Sequence, residues 1–312
     1  MGNNRNKYLI KNTLLFTLGN LGSKLITFFL IPLYTNTLST TQYGTIDLVA
    51  TVSTVAIPIL TINICESVMR FALDKDADQK QITQIGTYIF LCACLFGLLI
   101  IPICTLFNQI SSYAGLTYFY VISLAASQLY LCDLRGKELL LYYSIGNVLH
   151  TLLIAVFNIM FLLIFKMEIK GYLLAFIIAN LIISLYALIV GKGYKSFTLQ
   201  RINKKLLVSM SKYSIVLIPN SFMWWIMNSS DRVMVTSIIG VAANGIYAVS
   251  YKLPSLVSTM TGIFNQAWSY SAIREDGAED ENEYNNMVFN RLISIVMLLS
   301  IALLTIVKPL LR

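Results

Sequence analysis

Apolar stretches of about 20 residues follow one another along almost the whole chain, and this feature limits the fold more than any other. A helix needs about 20 apolar residues to cross the roughly 30 Å hydrocarbon layer of a membrane. The composition agrees, since 57% of the residues are hydrophobic and only 12% are charged, against about a quarter charged in soluble domains. The ten-residue alternation typical of a membrane β-barrel is missing. The sequence therefore predicts an all-α membrane protein.

The apolar pattern predicts nine transmembrane spans. They cover residues 12–35, 43–66, 83–107, 113–132, 142–165, 169–191, 212–235, 242–267 and 289–311. The basic segment 1–11 precedes an apolar run that is longer than the core of a signal peptide and lacks a small-residue cleavage site. We therefore expect no cleaved leader.

The distribution of lysine and arginine predicts the orientation of these spans. With the N-terminus in the cytoplasm, sixteen Lys and Arg residues fall in cytoplasmic segments and four fall outside. Cytoplasmic loops of membrane proteins carry such an excess of positive charge. This bias, rather than nucleic-acid binding, explains the net charge of +8. The prediction is a multi-pass membrane protein with a cytoplasmic N-terminus.

Enzymatic and metal-binding chemistry finds little support in the sequence. The five cysteines lie in or beside apolar spans without metal-ligand spacing, so we interpret them as small hydrophobic residues rather than as metal ligands or disulfides. The one histidine, His150, lies inside the fifth span. A hydrogen-bonded role within the bundle is favoured for it, with a proton relay as the alternative. We expect no enzyme, no metal site and no cofactor.

An internal repeat relates the segment after span one to the segment after span seven. Gly44 aligns with Gly245 and Ile62 with Ile263, both 201 positions apart. Because six spans separate the two copies, both have the same orientation in the membrane, as in transporters built from two parallel repeats. The sequence predicts a six-helix lobe at 1–196 and a partial second lobe of three helices at 197–312. The short second lobe favours a truncated product over a chain completed by a partner.

Polar residues at spacings of three and four form one stripe on each of spans one, two, seven and eight. The stripes consist of Thr13, Thr17, Asn20, Lys24 and Thr27; Asp47, Thr51, Thr54, Pro58, Thr61 and Cys65; Ser221, Trp225, Asn228 and Arg232; and Lys252, Ser255, Thr259, Gly262 and Gln266. Small polar residues also serve as helix-packing surfaces in membranes. Because each of the four stripes contains a charged residue, we favour a shared polar cavity.

Two lysines of these stripes lie near the middle of the membrane. Lys24 is roughly 18 Å into span one at about 1.5 Å per residue, and Lys252 is at a similar depth in span eight. A cation at that depth costs about 2.5 to 3.5 kcal/mol unless it faces water or a partner. With Arg232 they outnumber Asp47 and Asp231. The cavity is therefore predicted to be positive and suited to an anion.

Two segments carry a resemblance to a known family. They are "LGNLGSKLITFFLIPLYTNTLSTTQYGTIDL" and "YSIVLIPNSFMWWIMNSSDRVMVTSIIGVAANGIYAVSYKL", and their most specific parts are "PLYT…LS…YG" and "DR…G…GIYAVSYK". The chain resembles the polysaccharide repeat-unit (Wzx-type) flippases of the multidrug/oligosaccharidyl-lipid/polysaccharide exporter superfamily. It looks like the first nine of the twelve or more spans usual there.

The resemblance implies a MATE-like two-lobed helical bundle that works by alternating access. It implies a substrate of oligosaccharide repeat units on undecaprenyl diphosphate, moved to the outer leaflet for surface polysaccharide synthesis. Lys24, Lys252 and Arg232 would then neutralise the diphosphate. Further cavity residues would be Asn20, Asp47, Thr51, Asn220, Trp224, Asp231, Asn265 and Gln266. Expected partners are the lipid bilayer, H⁺ or Na⁺ as coupling ion, and the polymerase and glycosyltransferases of the same pathway.

Other interpretations remain open at this point. A cation-coupled multidrug exporter of the same superfamily would use acidic groups in its cavity, whereas the charges predicted at the midplane are basic. An inactive truncated fragment is compatible with everything except the preserved stripes. At the inner end of span two, Glu66 and Arg70 are interpreted as an i, i+4 ion pair, with a cytoplasmic gate as the alternative.

Overall fold

The computed structural model describes residue 26, residues 29–74, 76–99, 101–102, 108–196 and 202–252, and isolated positions between 255 and 305. The chain divides into two compact units. The larger unit spans residues 18–246 and contains the helices discussed below. The other unit comprises 1–17 and 247–312. The lobe boundary predicted at 196/197 therefore stays a prediction.

The larger unit is helical, and no residue in its described part belongs to a β-strand. Its longer helices are α1 at residues 29–37, α2 at Thr40–Leu60, α3 at Ile64–Ala72, α4 at Gln79–Gly97, α5 at Ala114–Gly136, α6 at Leu140–Asn158, α7 at Glu168–Val190, α8 at Lys204–Ile238, and α9, which begins at residue 241. Short helical segments lie at Asn108–Ser111 and Gly193–Ser196. A π-helical segment, Ile159–Ile164, extends α6.

Five helices in the described part of the chain are long and apolar enough to cross a membrane. They are Thr40–Leu60, Ala114–Gly136, Leu140–Ile164, Glu168–Val190 and Lys204–Ile238. They correspond to the predicted spans two, four, five, six and seven. The multi-pass helical class is thereby confirmed, whereas the count of nine spans stays a prediction.

Side chains near the helix ends explain where several helices begin. Ser39 accepts a hydrogen bond from the backbone of Gln42, whose side chain accepts one from the backbone N–H of Ser39, so α2 begins with a capping box. Asp78 caps α4 and Asn203 caps α8 in a similar way through their side-chain oxygens. These caps satisfy backbone donors that have no partner inside the helix.

The predicted second span, 43–66, is not one continuous helix. The chain leaves α2 after Leu60 and restarts as α3 at Ile64. Between them, Ile62 and Asn63 have φ angles of 46° and 56°, in the left-handed region that interrupts a right-handed helix. Pro58 lies in the last turn of α2, where its ring removes one backbone donor. The inner part of the predicted span is therefore a separate helix.

The main core lies where α3, α4, α5 and α7 meet. Its fully buried members include Val68, Ile85, Leu134 and Ile183. Small residues let the helices approach, since a Cβ added to Gly136 would come within 2.7 Å of the Cβ of Ala72. Close packing of this kind stabilises helix association in membranes.

The interpretation of the cysteines was wrong for one pair. Cys65 on α3 and Cys132 on α5 form a disulfide with a Cα–Cα distance of 5.8 Å. They are 67 positions apart, and the break before α3 helps to place Cys65 beside α5, which spacing alone does not reveal. Cys92 and Cys94 are free and half-buried. Cys104 lies outside the described residues.

His150 belongs to a buried polar network that joins α5, α6 and α7. Its Nε2 lies 2.8 Å from Oδ1 of Asn180, which also accepts a hydrogen bond from Ser127. Asn180 in turn donates to Ser123. The predicted hydrogen-bonded role of His150 within the bundle is confirmed, and the proton relay stays a prediction.

Candidate functional site

The polar stripes of spans two and seven face each other in the structure. Asp47 and Arg232 form an ion pair, and the indole N–H of Trp225 donates to the carbonyl oxygen of Thr51 at 2.9 Å. In the break between α2 and α3, the side chain of Asn63 donates to Ser221 at 3.2 Å. α2 and α8 therefore meet along the polar faces that the sequence predicted, and these faces bond directly to each other.

The Asp47–Arg232 pair is a largely buried charge contact between these two helices. Nη1 of Arg232 donates to Oδ1 of Asp47 at 2.6 Å, and the two side chains are 16% and 7% exposed. A buried carboxylate or guanidinium that loses its partner becomes an uncompensated charge. The contact therefore ties α8 firmly to the start of α2.

Asn244, near the start of α9, extends this contact. Its side-chain N–H₂ donates to the carbonyl oxygen of Gly44 at 3.2 Å and to Oδ2 of Asp47 at 3.4 Å. Asn244 is completely buried. One carboxylate thus receives hydrogen bonds from both α8 and α9. No polar stripe in the sequence marks Asn244, although it adjoins Gly245, which aligns with Gly44 in the repeat.

Aromatic rings surround the same end of α2. Tyr43 lies one turn before Asp47, and its ring centroid is 6.1 Å from that of Tyr34 on α1. Tyr34 also contacts Tyr172 of α7 at 5.4 Å, and Phe176 links Tyr172 to Tyr120 of α5. This ring cluster links α1, α2, α5 and α7 at the end of α2 that carries Asp47. No motif in the sequence marks it.

The backbones of α2 and α9 come into direct contact at two glycines. A Cβ added to Gly44 would overlap the carbonyl oxygen of Val241 and lie 2.9 Å from the backbone N of Gly245. A Cβ added to Gly245 would overlap the carbonyl oxygen of Thr40 and lie 3.1 Å from the backbone N of Gly44. Only glycine permits this approach at both positions.

The other predicted cavity residues lie in different surroundings. Asn220 and Trp224 on α8 are exposed. Asp231 is half-buried and accepts a hydrogen bond from the backbone N–H of Arg232, while Thr51 is buried. Lys252 is half-buried and belongs to the other unit. Lys24, Asn20, Asn265 and Gln266 lie outside the described residues.

Arg232, one of the three cations predicted to bind an anion, has Asp47 as an ion-pair partner in the structure. The predicted excess of positive charge counts both of these residues, so the pair leaves that excess unchanged. The spacing of the stripes could not reveal this pair because the two residues are 185 positions apart. Binding of an anion by Arg232 stays a prediction and requires that it exchange partners.

The ion pair at the end of α3 also differs from the prediction. Arg70 pairs with Asp74 at 2.6 Å rather than with Glu66, and both side chains are about half exposed. The hydrogen bond to Asp74 raises the pKa of the Arg70 guanidinium. Asp74 lies one i, i+4 step after Arg70, just as Glu66 lies one such step before it, so either carboxylate is within reach of the guanidinium. The gate role of Glu66 and Arg70 stays a prediction.

A second buried ion pair joins the ends of α4, α5 and α7. Lys137 donates to Asp133 at 2.6 Å and to the carbonyl oxygen of Gly191 at 3.0 Å. Thr83 donates to the other oxygen of Asp133. Every contact of this cluster stays within the first predicted lobe, so we interpret it as a structural link. Over the described ranges, no group of three or more His, Cys, Asp or Glu residues is placed to hold a metal ion.

The long apolar helices define a multi-pass helical membrane protein, in which a buried ion pair joins α2 to α8. A family model described as "Polysaccharide biosynthesis protein" matches residues 9–270. The chain belongs to this family, which is that of the Wzx-type flippases of the exporter superfamily named above. Members of the family are transporters. The searches of curated proteins and of solved structures found no match.

Proposed function

We propose that the chain moves oligosaccharide repeat units, carried on undecaprenyl diphosphate, from the cytoplasmic to the outer leaflet of the bacterial cytoplasmic membrane. The family match over residues 9–270 carries this proposal. The repeat units then serve surface polysaccharide synthesis, where glycosyltransferases supply the substrate and a polymerase uses it. Transport proceeds by alternating access and is coupled to H⁺ or Na⁺, without covalent chemistry.

The proposal includes the MATE-like layout of two lobes, with nine spans and a cytoplasmic N-terminus. The contact between Gly44 and Gly245 supports it, because these residues had been aligned as equivalent positions of two repeats. The close meeting of spans two and seven supports it as well, since they belong to different predicted lobes.

Lys24 and Lys252 are the proposed partners of the diphosphate. The ammonium group of lysine is a compact and mobile point charge that suits phosphate. Arg232 would join them only after leaving Asp47, which holds it at 2.6 Å. Asn20, Asn220, Trp224, Asn265 and Gln266 are proposed to contact the sugars, and Asp231 and Thr51 to line the cavity.

The competing proposal is a cation-coupled multidrug exporter. It would need an acidic group available to an organic cation, and the ion pair with Arg232 argues against Asp47 in that role. An inactive fragment is the other alternative, and restored transport by the chain itself would contradict it.

The test is deletion of the gene, followed by complementation with the unmodified chain and its variants. We expect the deletion to abolish surface polysaccharide and to accumulate lipid-linked repeat units, and the unmodified chain to reverse both effects. Lys24→Ala and Lys252→Ala should each fail to restore the polymer, whereas Lys→Arg should restore part of it because the charge remains.

Three results would count against the proposal. Normal polymer from both alanine variants would remove the lysines from the mechanism. Unchanged polysaccharide with altered drug susceptibility after deletion would favour the exporter. Failure of the unmodified chain to restore polymer would favour the fragment.

A further inference from the structure

The crossing of α2 and α9 has local two-fold symmetry. The added Cβ of Gly44 meets Val241, and the added Cβ of Gly245 meets Thr40. Both pairs of equivalent positions are 201 residues apart, since 40 and 44 plus 201 give 241 and 245. The position of Gly44 in the first copy therefore meets the position of Thr40 in the second copy, and the reverse contact also occurs. Such a reciprocal contact indicates local two-fold symmetry. The crossing therefore pairs the same positions of the two predicted repeats with each other in both directions.

Hydrogen bonds to Gly44 and Asp47 hold the crossing closed. Arg232, which precedes α9, is bound to Asp47 at 2.6 Å, and Asn244 of α9 is bound to Gly44 and Asp47. All of these residues belong to the compact unit 18–246. Backbone contact, an ion pair and an amide thus act at one point where the two repeats meet.

We propose that this crossing is the closed outer gate of the transporter, and that the Asp47–Arg232 pair is its latch. The inference rests on the alternating-access part of the proposed function and on the predicted orientation, which places residues 40–47 and 232–245 at the outer ends of their helices. The cavity can open to the outside only if this crossing opens, because the two repeats cannot separate while their backbones touch.

The latch makes opening dependent on an anion. Separation of the two helices leaves a carboxylate and a guanidinium without each other, and such a buried charge is strongly unfavourable. An anion that takes over Arg232 removes part of this cost. The diphosphate of the proposed substrate has the charge and the oxygen atoms that a guanidinium binds best. Substrate inside the cavity would therefore favour release of the gate.

The experiment measures access from outside to a cysteine placed behind the latch. Thr51 lies one turn beyond Asp47 and is 3% exposed, so Thr51→Cys is the probe. Cys92, Cys94 and Cys104 are replaced by alanine, and the disulfide is kept. Intact spheroplasts are treated with a membrane-impermeant maleimide, and the rate of labelling is measured by mass spectrometry.

We expect slow labelling in the parent and labelling at least about tenfold faster after Asp47→Asn or Arg232→Gln, which is a shift of about 1.4 kcal/mol in the gate equilibrium. The charge swap Asp47→Arg with Arg232→Asp should return the rate toward that of the parent. Rates unchanged by the single variants, or a swap as fast as either of them, would overturn the latch.

A matched control is available in the same chain. Asp133→Asn also breaks a buried ion pair, that of Asp133 with Lys137, but this pair lies within the first predicted lobe. It should leave the labelling rate of Thr51→Cys within about twofold of the parent, because the gate equilibrium is independent of a distant site. Equal acceleration by Asp133→Asn would show general loosening and would overturn the gate.

A second variant tests the crossing without changing a charge. Gly44→Ala places a methyl group against the carbonyl oxygen of Val241, so the helices have to separate and labelling should accelerate. Unchanged labelling would overturn the crossing as the gate. These assays measure opening of the gate for any substrate. Normal polymer from the Lys24→Ala and Lys252→Ala variants would contradict the proposed substrate site but would leave the gate inference unaffected.

Discussion

At the scale of single residues, the site is held by one carboxylate. Asp47 accepts hydrogen bonds from Arg232 and from Asn244, which approach from two different helices. Asp47 lies on the polar stripe that periodicity predicted, so the sequence showed on which face of α2 it lies. The sequence could not show its partners, because they come from positions about 190 residues away and only packing brings them near.

Breaking this pair should cost stability in a way that a double variant reveals. Asp47→Asn or Arg232→Gln alone should each lower the free energy of unfolding by about 2 to 4 kcal/mol, since the remaining charge loses its partner and its partial exposure reduces the effect. The double variant should cost less than the sum of the two. The measurement is thermal unfolding in detergent, and strictly additive effects would contradict the coupling.

The exposed pair on α3 provides the comparison for that experiment. Asp74→Asn removes the carboxylate that pairs with Arg70 at the surface. Water solvates both groups there, so the melting temperature should not change measurably. A loss comparable to that of Asp47→Asn would show that exposure does not decide the strength of these pairs.

At the scale of helices, the break after α2 decides which elements meet. The left-handed residues Ile62 and Asn63 separate α3 from α2, and α3 then packs on α5 through the disulfide. The polar network around Asn180 joins α5 to α6 and α7. Helix existence and type followed from periodicity. The break was not predicted, although Pro58 and Asn63 are residue types that end helices.

The cysteine pairing predicts a chemical pattern. After alkylation without reductant, Cys92 and Cys94 should carry the label while Cys65 and Cys132 remain joined in one cross-linked peptide. Reduction before alkylation should release both. Peptide mapping checks this, and free alkylation of Cys65 in the native protein would contradict the disulfide.

Loss of Asn180 should weaken the link between three helices. Asn180→Ala leaves His150 and Ser127 without their common acceptor in a buried position. We expect the free energy of unfolding to fall by about 2 kcal/mol, since unsatisfied buried groups keep their full desolvation cost. Thermal unfolding measures it. The control is Asn228→Ala on α8, whose side-chain hydrogen bond to the carbonyl oxygen of Trp224 is exposed. No difference between the two variants would contradict the role of the network.

At the scale of the whole molecule, orientation is the property that the charge pattern predicts. The segment around Lys166 should face outward and the segment 192–205 should face the cytoplasm. These segments lie at opposite ends of α7, a helix of 23 residues that is long enough to span the membrane. The outer position of the proposed gate depends on the same orientation.

Reporter fusions test this orientation directly. Alkaline phosphatase fused after Lys166 should be active, because it folds outside, and green fluorescent protein fused after Arg201 should fluoresce, because it folds in the cytoplasm. The exchanged pair of fusions is the control and should give neither signal. Signals from the exchanged pair alone would reverse the topology and place the gate at the inner face.

The sequence by itself determined that this is a helical membrane protein, which family it belongs to, and which faces of its helices are polar. Those properties follow from local periodicity and composition, because the membrane demands about 20 apolar residues per helix and penalises buried charge. Only the tertiary structure decided that Arg232 neutralises Asp47 and that Gly44 touches Gly245. Contacts between residues about 200 positions apart depend on the packing of several helices at once, and no local pattern encodes which polar face will meet which.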